Sequence, residues 1–197
     1  MNQNTRTAAS LLLFSRVLLF LVFQSLIALI FLLIGNNRPW YASEGWWMSS
    51  VTLTNVVMFA LIVSLLRKEG KKYFEVFRFT REGWWKDLLI ALGIFAVAAP
   101  VSTFPNLWLA KLLFGASDAT VPMLFRALPV WGLILSILFP LTQVFVELPL
   151  YFGYIMPRLT KPSGKGWPAW VVASFFLGFQ HVAVPFIPDV RFMASST

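Results

Sequence analysis

The 197-residue chain has no cysteine, one histidine and only eight acidic residues. The missing cysteine excludes disulfides, thiolate metal sites and a thiol nucleophile, and it leaves the redox compartment undetermined. A metal hydrolase needs about three protein ligands. His181 is the sole imidazole and Asp189 the only acid placed to join Glu147, so the ligand count supports no bound metal, and no cofactor is expected. A small-x-Ser-x-small elbow is also absent near His181, which leaves Ser-dependent acyl transfer without its motif.

Charge is the other scarcity. Charged residues make up 12% of the chain against 58% hydrophobic ones, more apolar surface than one soluble core buries, so the expected fold is an all-α polytopic membrane bundle. The net charge of +8 sits between apolar runs and forms no basic face with stacking aromatics, so nucleic acid is not an expected partner and membrane lipid is. Five spans are predicted, at about 8–34, 47–66, 88–109, 129–159 and 167–186, in a single domain over 1–197 without internal repeats.

Details along the chain refine this picture. The first run exceeds a signal-peptide core and lacks a cleavage site, so it reads as a retained anchor, with Arg16 snorkelling near its start. Pro100 and Pro105 are expected to kink or end the third span. The loop 67–87 carries seven basic and four acidic residues, with Tyr73, Phe74, Val76, Phe77 and Phe79 interleaved as in a segment lying on the membrane surface. The loop 158–166 carries Arg158, Lys161 and Lys165 without acids. Placing both loops in the cytoplasm requires an inside N-terminus and an outside C-terminus.

Glu147 stands alone as a carboxylate within the fourth apolar run, and ionisable groups at membrane depth mark sites. Gln143, Glu147, Tyr151, Tyr154 and Arg158 follow at steps of four, four, three and four, one helical face that suits the wall of a wet cavity, with Gln143, Tyr151 and Tyr154 beside the substrate. On the fifth run His181 shares a face with Ser174 and Gly178, whereas Gln180 points elsewhere and is expected to bond a neighbouring helix. At ~1.5 Å per residue, Glu147 lies roughly 16 Å above Arg158 and His181 roughly 20 Å above Trp167, so the two groups reach similar depth. Paired that way, Glu147 would take a proton from water as general base and His181 would donate to the carbonyl oxygen. Asp189 reads as a cap or a partner of Arg191.

These residues resemble the CAAX-protease and bacteriocin-processing family of intramembrane proteases, also called the Abi family. Its first motif is a Glu-Glu pair with Arg four positions after the second Glu, and Glu147-Leu148-Pro149-Leu150-Tyr151-Phe152-Gly153 stands in that place. Its second motif is Phe-x-x-x-His, matched by Leu177-Gly178-Phe179-Gln180-His181. Leu148, Phe152 and Leu177 depart from the pattern, and the later motifs supplying a further His and Asn or Asp have no counterpart up to Thr197. The resemblance implies a glutamate-type endopeptidase of the bacterial plasma membrane, acting on membrane-proximal peptides or proteins through Glu147 and His181, active or in a truncated or inactive form. The alternative expectation is a non-catalytic membrane scaffold or immunity-type binding protein. Substrate and oligomeric state are not legible.

Overall fold

The structure is a computed structural model that describes residues 3–77, 83–160 and 164–196. Phe79 and Lys161, assigned above to the two basic loops, lie outside the described residues. The described residues form helices and turns without a strand: α1 Gln3–Leu33, α2 Pro39–Glu44, α3 Trp47–Lys68, a 3₁₀ turn Tyr73–Val76, and α4 Trp84–Phe114. They continue as α5 Val121–Leu124, α6 Val130–Ser136, α7 Leu138–Gln143, a π-helical stretch Pro149–Ile155, α8 Met156–Leu159, α9 Trp167–Phe179, a 3₁₀ turn Gln180–Ala183, and α10 Val190–Ser196. Three helices are long and apolar enough to cross a membrane: α1 over Thr5–Leu33, α3 and α4.

Glycine ends each of the three, Gly115 closing α4 at φ +84° with its N–H on Lys111 O. Gly35 takes φ +81°, its N–H bonds Leu32 O and that of Asn36 bonds Phe31 O, a Schellman closure that Gly70 repeats after α3 through Leu66 O and Arg67 O. The prolines of α4 do not end it: the helix runs through Pro100 and Pro105 to Phe114. Most of α4 is exposed apolar surface, and its main packing partner is α10.

The fourth predicted span is segmented, and its prolines explain where. Pro140 lacks an N–H for Ser136 O, and α6 stops at Ser136. Pro149 likewise withholds a bond from Phe145 O, the helix loosens into turns over 144–146, and the π-helical stretch begins at Pro149. The carbonyl of Phe145 is instead taken by the Tyr73 hydroxyl. Tyr73 is therefore buried, with its phenol pushed up to about 12 by desolvation. The aromatic stretch after α3 thus docks onto the bundle through Tyr73 and through Val76 against Gly153, where an added Cβ would meet Val76 at 2.1 Å, while Phe74 stays exposed.

The fifth predicted span also divides, into α9 and the 3₁₀ turn, before a cis Val184–Pro185 bond. α1 is the central rod, packed against α2, α3, α8, α9 and both irregular segments. Buried Leu12, Leu13, Met58, Ile62, Leu150, Tyr151 and Ala173 form the main core. Lipid tails are as apolar as leucine, so close contact drives association; Ala169 and Ala173 let α9 approach, and Phe14 meets Phe176 edge-on at 4.8 Å. At one end of the bundle Arg158 forks onto Glu69, donating to Oε1 at 2.9 Å and also to Oε2.

Two outcomes follow from these links. Tyr73→Phe leaves Phe145 O unpaired and should destabilise the protein by about 1–3 kcal/mol, read as a lower thermal midpoint in detergent. The second concerns Glu69, whose carboxyl is held below its ordinary 4.5 chiefly by the Arg158 hydrogen bond, against an opposing desolvation and with lesser help from Lys71. A depressed folded value means the stabilisation is complete above pH 4.5 and is lost as pH falls through that lower value. Glu69→Gln should therefore lower the midpoint near neutrality, and its difference from the unsubstituted protein should shrink on acidification below that range.

Candidate active site

Arg16 lies thirteen residues into α1, at ~1.5 Å each about 20 Å from its start. It is fully buried. The expectation of an interfacial, snorkelling arginine is corrected: the guanidinium turns into the bundle, onto polar side chains of three other segments. There it donates from Nε to Gln180 Oε1 at 2.5 Å, from Nη1 to Asn55 Oδ1 at 2.9 Å and from Nη2 to Gln143 Oε1 at 3.2 Å. Asn55 Nδ2 closes the ring onto Gln143 Oε1 at 3.0 Å and Thr142 Oγ1 at 3.1 Å.

Glu147 joins this knot through Gln180. Gln180 Nε2 donates to Glu147 Oε1 at 2.5 Å, and Arg16 Nη2 stands 3.9 Å from the same oxygen as an ion pair. With its carbonyl toward Arg16 and its amide toward the carboxylate, Gln180 is satisfied in one orientation only. Glu147 keeps 18% of its side chain exposed while Arg16 keeps 1%, so the carboxylate sits at the wet edge of a buried cation. Next to it opens a cavity of about 330 Å³, bordered by Arg16, Gln143, Glu147, Gln180 and His181 and, from the α4 side, by Asn106. That volume lies at the small end of ligand pockets, room for a side chain and a few waters.

The residues singled out from the sequence separate into three places. Gln143, Glu147 and His181 border the cavity. Tyr151 is fully buried behind the knot, its hydroxyl 3.4 Å from Gln180 Oε1, and it does not line the cavity. Tyr154 belongs to neither: it lies beneath Arg158, 3.5 Å from ring centre to guanidinium, with its hydroxyl 3.4 Å from Glu69 Oε1. The assignment of Tyr151 and Tyr154 to a common cavity wall is corrected, because the turns at 144–146 and the wider π-helical winding rotate them off the face that strict 3.6-residue spacing predicts.

His181 is exposed to the cavity side and its Nδ1 is 3.1 Å from Gly178 O. A carbonyl only accepts, so Nδ1 carries a proton and Nε2 is the ring nitrogen left outside that bond. Gln180, expected to bond a neighbouring helix, does so: it accepts from Arg16 of α1 and touches Glu147 directly, from the 3₁₀ turn that follows Phe179. Asp189 pairs with Arg191 at 2.8 Å, as expected.

Arg16, Asn55 and Gln180 are the members of the site that periodicity missed. The available signal was their polarity within apolar runs. Around Glu147 the donor set is one carboxylate, one imidazole and three amides, and among the described residues no group of three His, Cys, Asp or Glu side chains gathers to hold a metal. No family model, curated protein or solved structure matches the chain.

The knot predicts its own fragility. Arg16→Met removes the countercharge of Glu147 and the donor of Asn55 Oδ1, and should cost about 3 kcal/mol or more. Arg16→Lys restores charge without the three-way fork and should recover only part of the thermal midpoint. An unchanged midpoint in Arg16→Met would remove the knot from the account.

Proposed function

We propose that the chain is an intramembrane endopeptidase of the glutamate type, resembling the CAAX-protease and bacteriocin-processing enzymes, in which Glu147 activates water and His181 assists. The observation that carries this reading is that an intramembrane-run carboxylate and the chain's single imidazole border one cavity. A water in that cavity gives its proton to Glu147 through Oε2, since Oε1 is engaged by Gln180 and Arg16. The resulting hydroxide attacks the scissile carbonyl, and Glu147 then passes the proton to the leaving amine. His181, with Nδ1–H on Gly178 O, enters as imidazolium and donates from Nε2–H to the oxyanion, keeping that proton when the intermediate collapses. The basic residue that the family pattern carries at the position of Phe152 is matched in charge near Glu147 by Arg16 from α1.

In this reading the chain crosses the bacterial plasma membrane five times. The segments 129–159 and 167–186 cross in broken form, the N-terminus and the loops 67–87 and 158–166 lie inside, and the substrate is a membrane-proximal peptide. Broken helices fit such a depth only where they line a cavity or are covered by protein, which describes the π-helical stretch, where Pro149, Leu150, Tyr151, Tyr154 and Ile155 are buried.

A second reading, a non-catalytic membrane scaffold or immunity-type binder, is favoured by one observation: the polar ends of Arg16, Asn55 and Gln180 are all satisfied within the chain, as a purely structural knot would be. The two readings separate in one experiment. Purified protein reconstituted with a membrane-protein fraction should generate new N-termini by mass spectrometry. Glu147→Gln should abolish them and His181→Ala should reduce them by about 10²-fold or more, the usual contribution of a positioned acid–base group. No new N-termini, or equal cleavage by both variants, rejects the peptidase and leaves the scaffold.

A further inference from the structure

At the end of the bundle where α1 stops and α3 starts, a groove of about 1430 Å³ opens, separate from the Glu147 cavity. Its floor is apolar: Ile27, Ile30 and Ile34 along α1, Leu53 of α3 and Leu135 of α6. Trp46 and Trp131 close one wall with ring centres 4.7 Å apart. Gly132 makes that wall possible, since an added Cβ would meet the Trp46 ring at 2.9 Å. From Ile27 to Leu33 the groove follows α1 for about 9 Å at ~1.5 Å per residue, and Ile34 to Arg38 carry it past the helix end.

Polarity is confined to one end. Asn36, Asn37 and Arg38 sit at the mouth, level with Tyr41 and the tryptophans, the residue types that settle at headgroup depth. Arg126, also at the mouth, is neutralised by Glu44, donates to Tyr41 O, and lies 3.6 Å over the Tyr41 ring. Glu44 is the weaker acid of the pair's surroundings, raised by desolvation although Arg126 pulls the other way. Arg38 is exposed and has no ion-pair partner among the described residues, so the mouth carries net positive charge. Two further donors line the groove, buried without a hydrogen-bond partner: Ser49 Oγ and Arg126 Nε.

An apolar trough along the last turns of a spanning helix, with a free guanidinium and spare donors at its polar end, has the distribution of an anionic phospholipid. We propose that this groove binds one such lipid from the surrounding bilayer, its acyl chain along α1 and its phosphate at Arg38. The inference is independent of the peptidase reading, because none of its residues borders the Glu147 cavity.

Native mass spectrometry of the full chain, released from bilayers of equal phosphatidylglycerol and phosphatidylcholine, tests it. The protein should retain one phosphatidylglycerol. Ile30→Trp, which fills the trough at an exposed position, should remove that adduct, and Leu53→Trp should do the same if the first variant does not fold. Arg38→Gln should keep the lipid while lowering its preference over phosphatidylcholine about fivefold, the effect of one basic residue near an anionic headgroup. No retained lipid, a lipid indifferent to the filling variants, or a preference unchanged by Arg38→Gln overturns the proposal. So does a dimer that the filling variants dissociate, which would make the groove a contact between copies.

Discussion

A guanidinium buried at mid-helix is the constraint on which the rest of the bundle depends. A charge in an apolar helix is costly unless its hydrogens and its charge are answered. Arg16 is answered from three directions, by Asn55 on α3, Gln143 on α7 and Gln180 in the turn after α9. Each partner lies on a different segment, so meeting the needs of one side chain fixes the relative placement of four stretches of backbone. Glu147 supplies the countercharge, and it does so from the rim of a cavity. The same interaction that lets α1 hold a charge therefore presents a carboxylate to water.

Irregular backbone is what allows this placement. A continuous helix over 129–159 would carry Gln143, Glu147, Tyr151 and Tyr154 in one stripe, and the knot would compete with two phenols for the same face. Pro140 and Pro149 interrupt it, and the π-helical winding sends Tyr151 behind Gln180 and Tyr154 toward Glu69. The carbonyl that Pro149 leaves unpaired is satisfied from outside the segment by Tyr73, so the loop after α3 stabilises the helix break. Gln24 adds a matching clamp at the other irregular stretch, accepting from Phe186 N at 2.8 Å and donating to Phe186 O at 3.0 Å.

Much of this was legible in the residues alone. Long apolar runs identify α1, α3 and α4, glycine marks the ends of α1 and α3, and the lone acid of the fourth run points to the cavity. The assumption of uniform 3.6-residue winding fails where the helix widens and Tyr154 leaves the site. Arg16 was misplaced for another reason: its position near the start of an apolar run carries no sign of the partners on α3, α7 and the turn after α9 that draw it inward. Periodicity reports faces within a regular element; it is silent on which elements a long side chain draws together.

The central claim is that Arg16 and Glu147 belong to one interdependent unit. A double-mutant cycle on thermal stability in detergent, using Arg16→Met, Glu147→Gln and the two combined, measures that dependence directly. The account predicts strong non-additivity, with a coupling of about 1 kcal/mol or more and little further loss when the second partner is removed. Losses that simply add would contradict it, because the two charges would then be independent occupants of the same bundle.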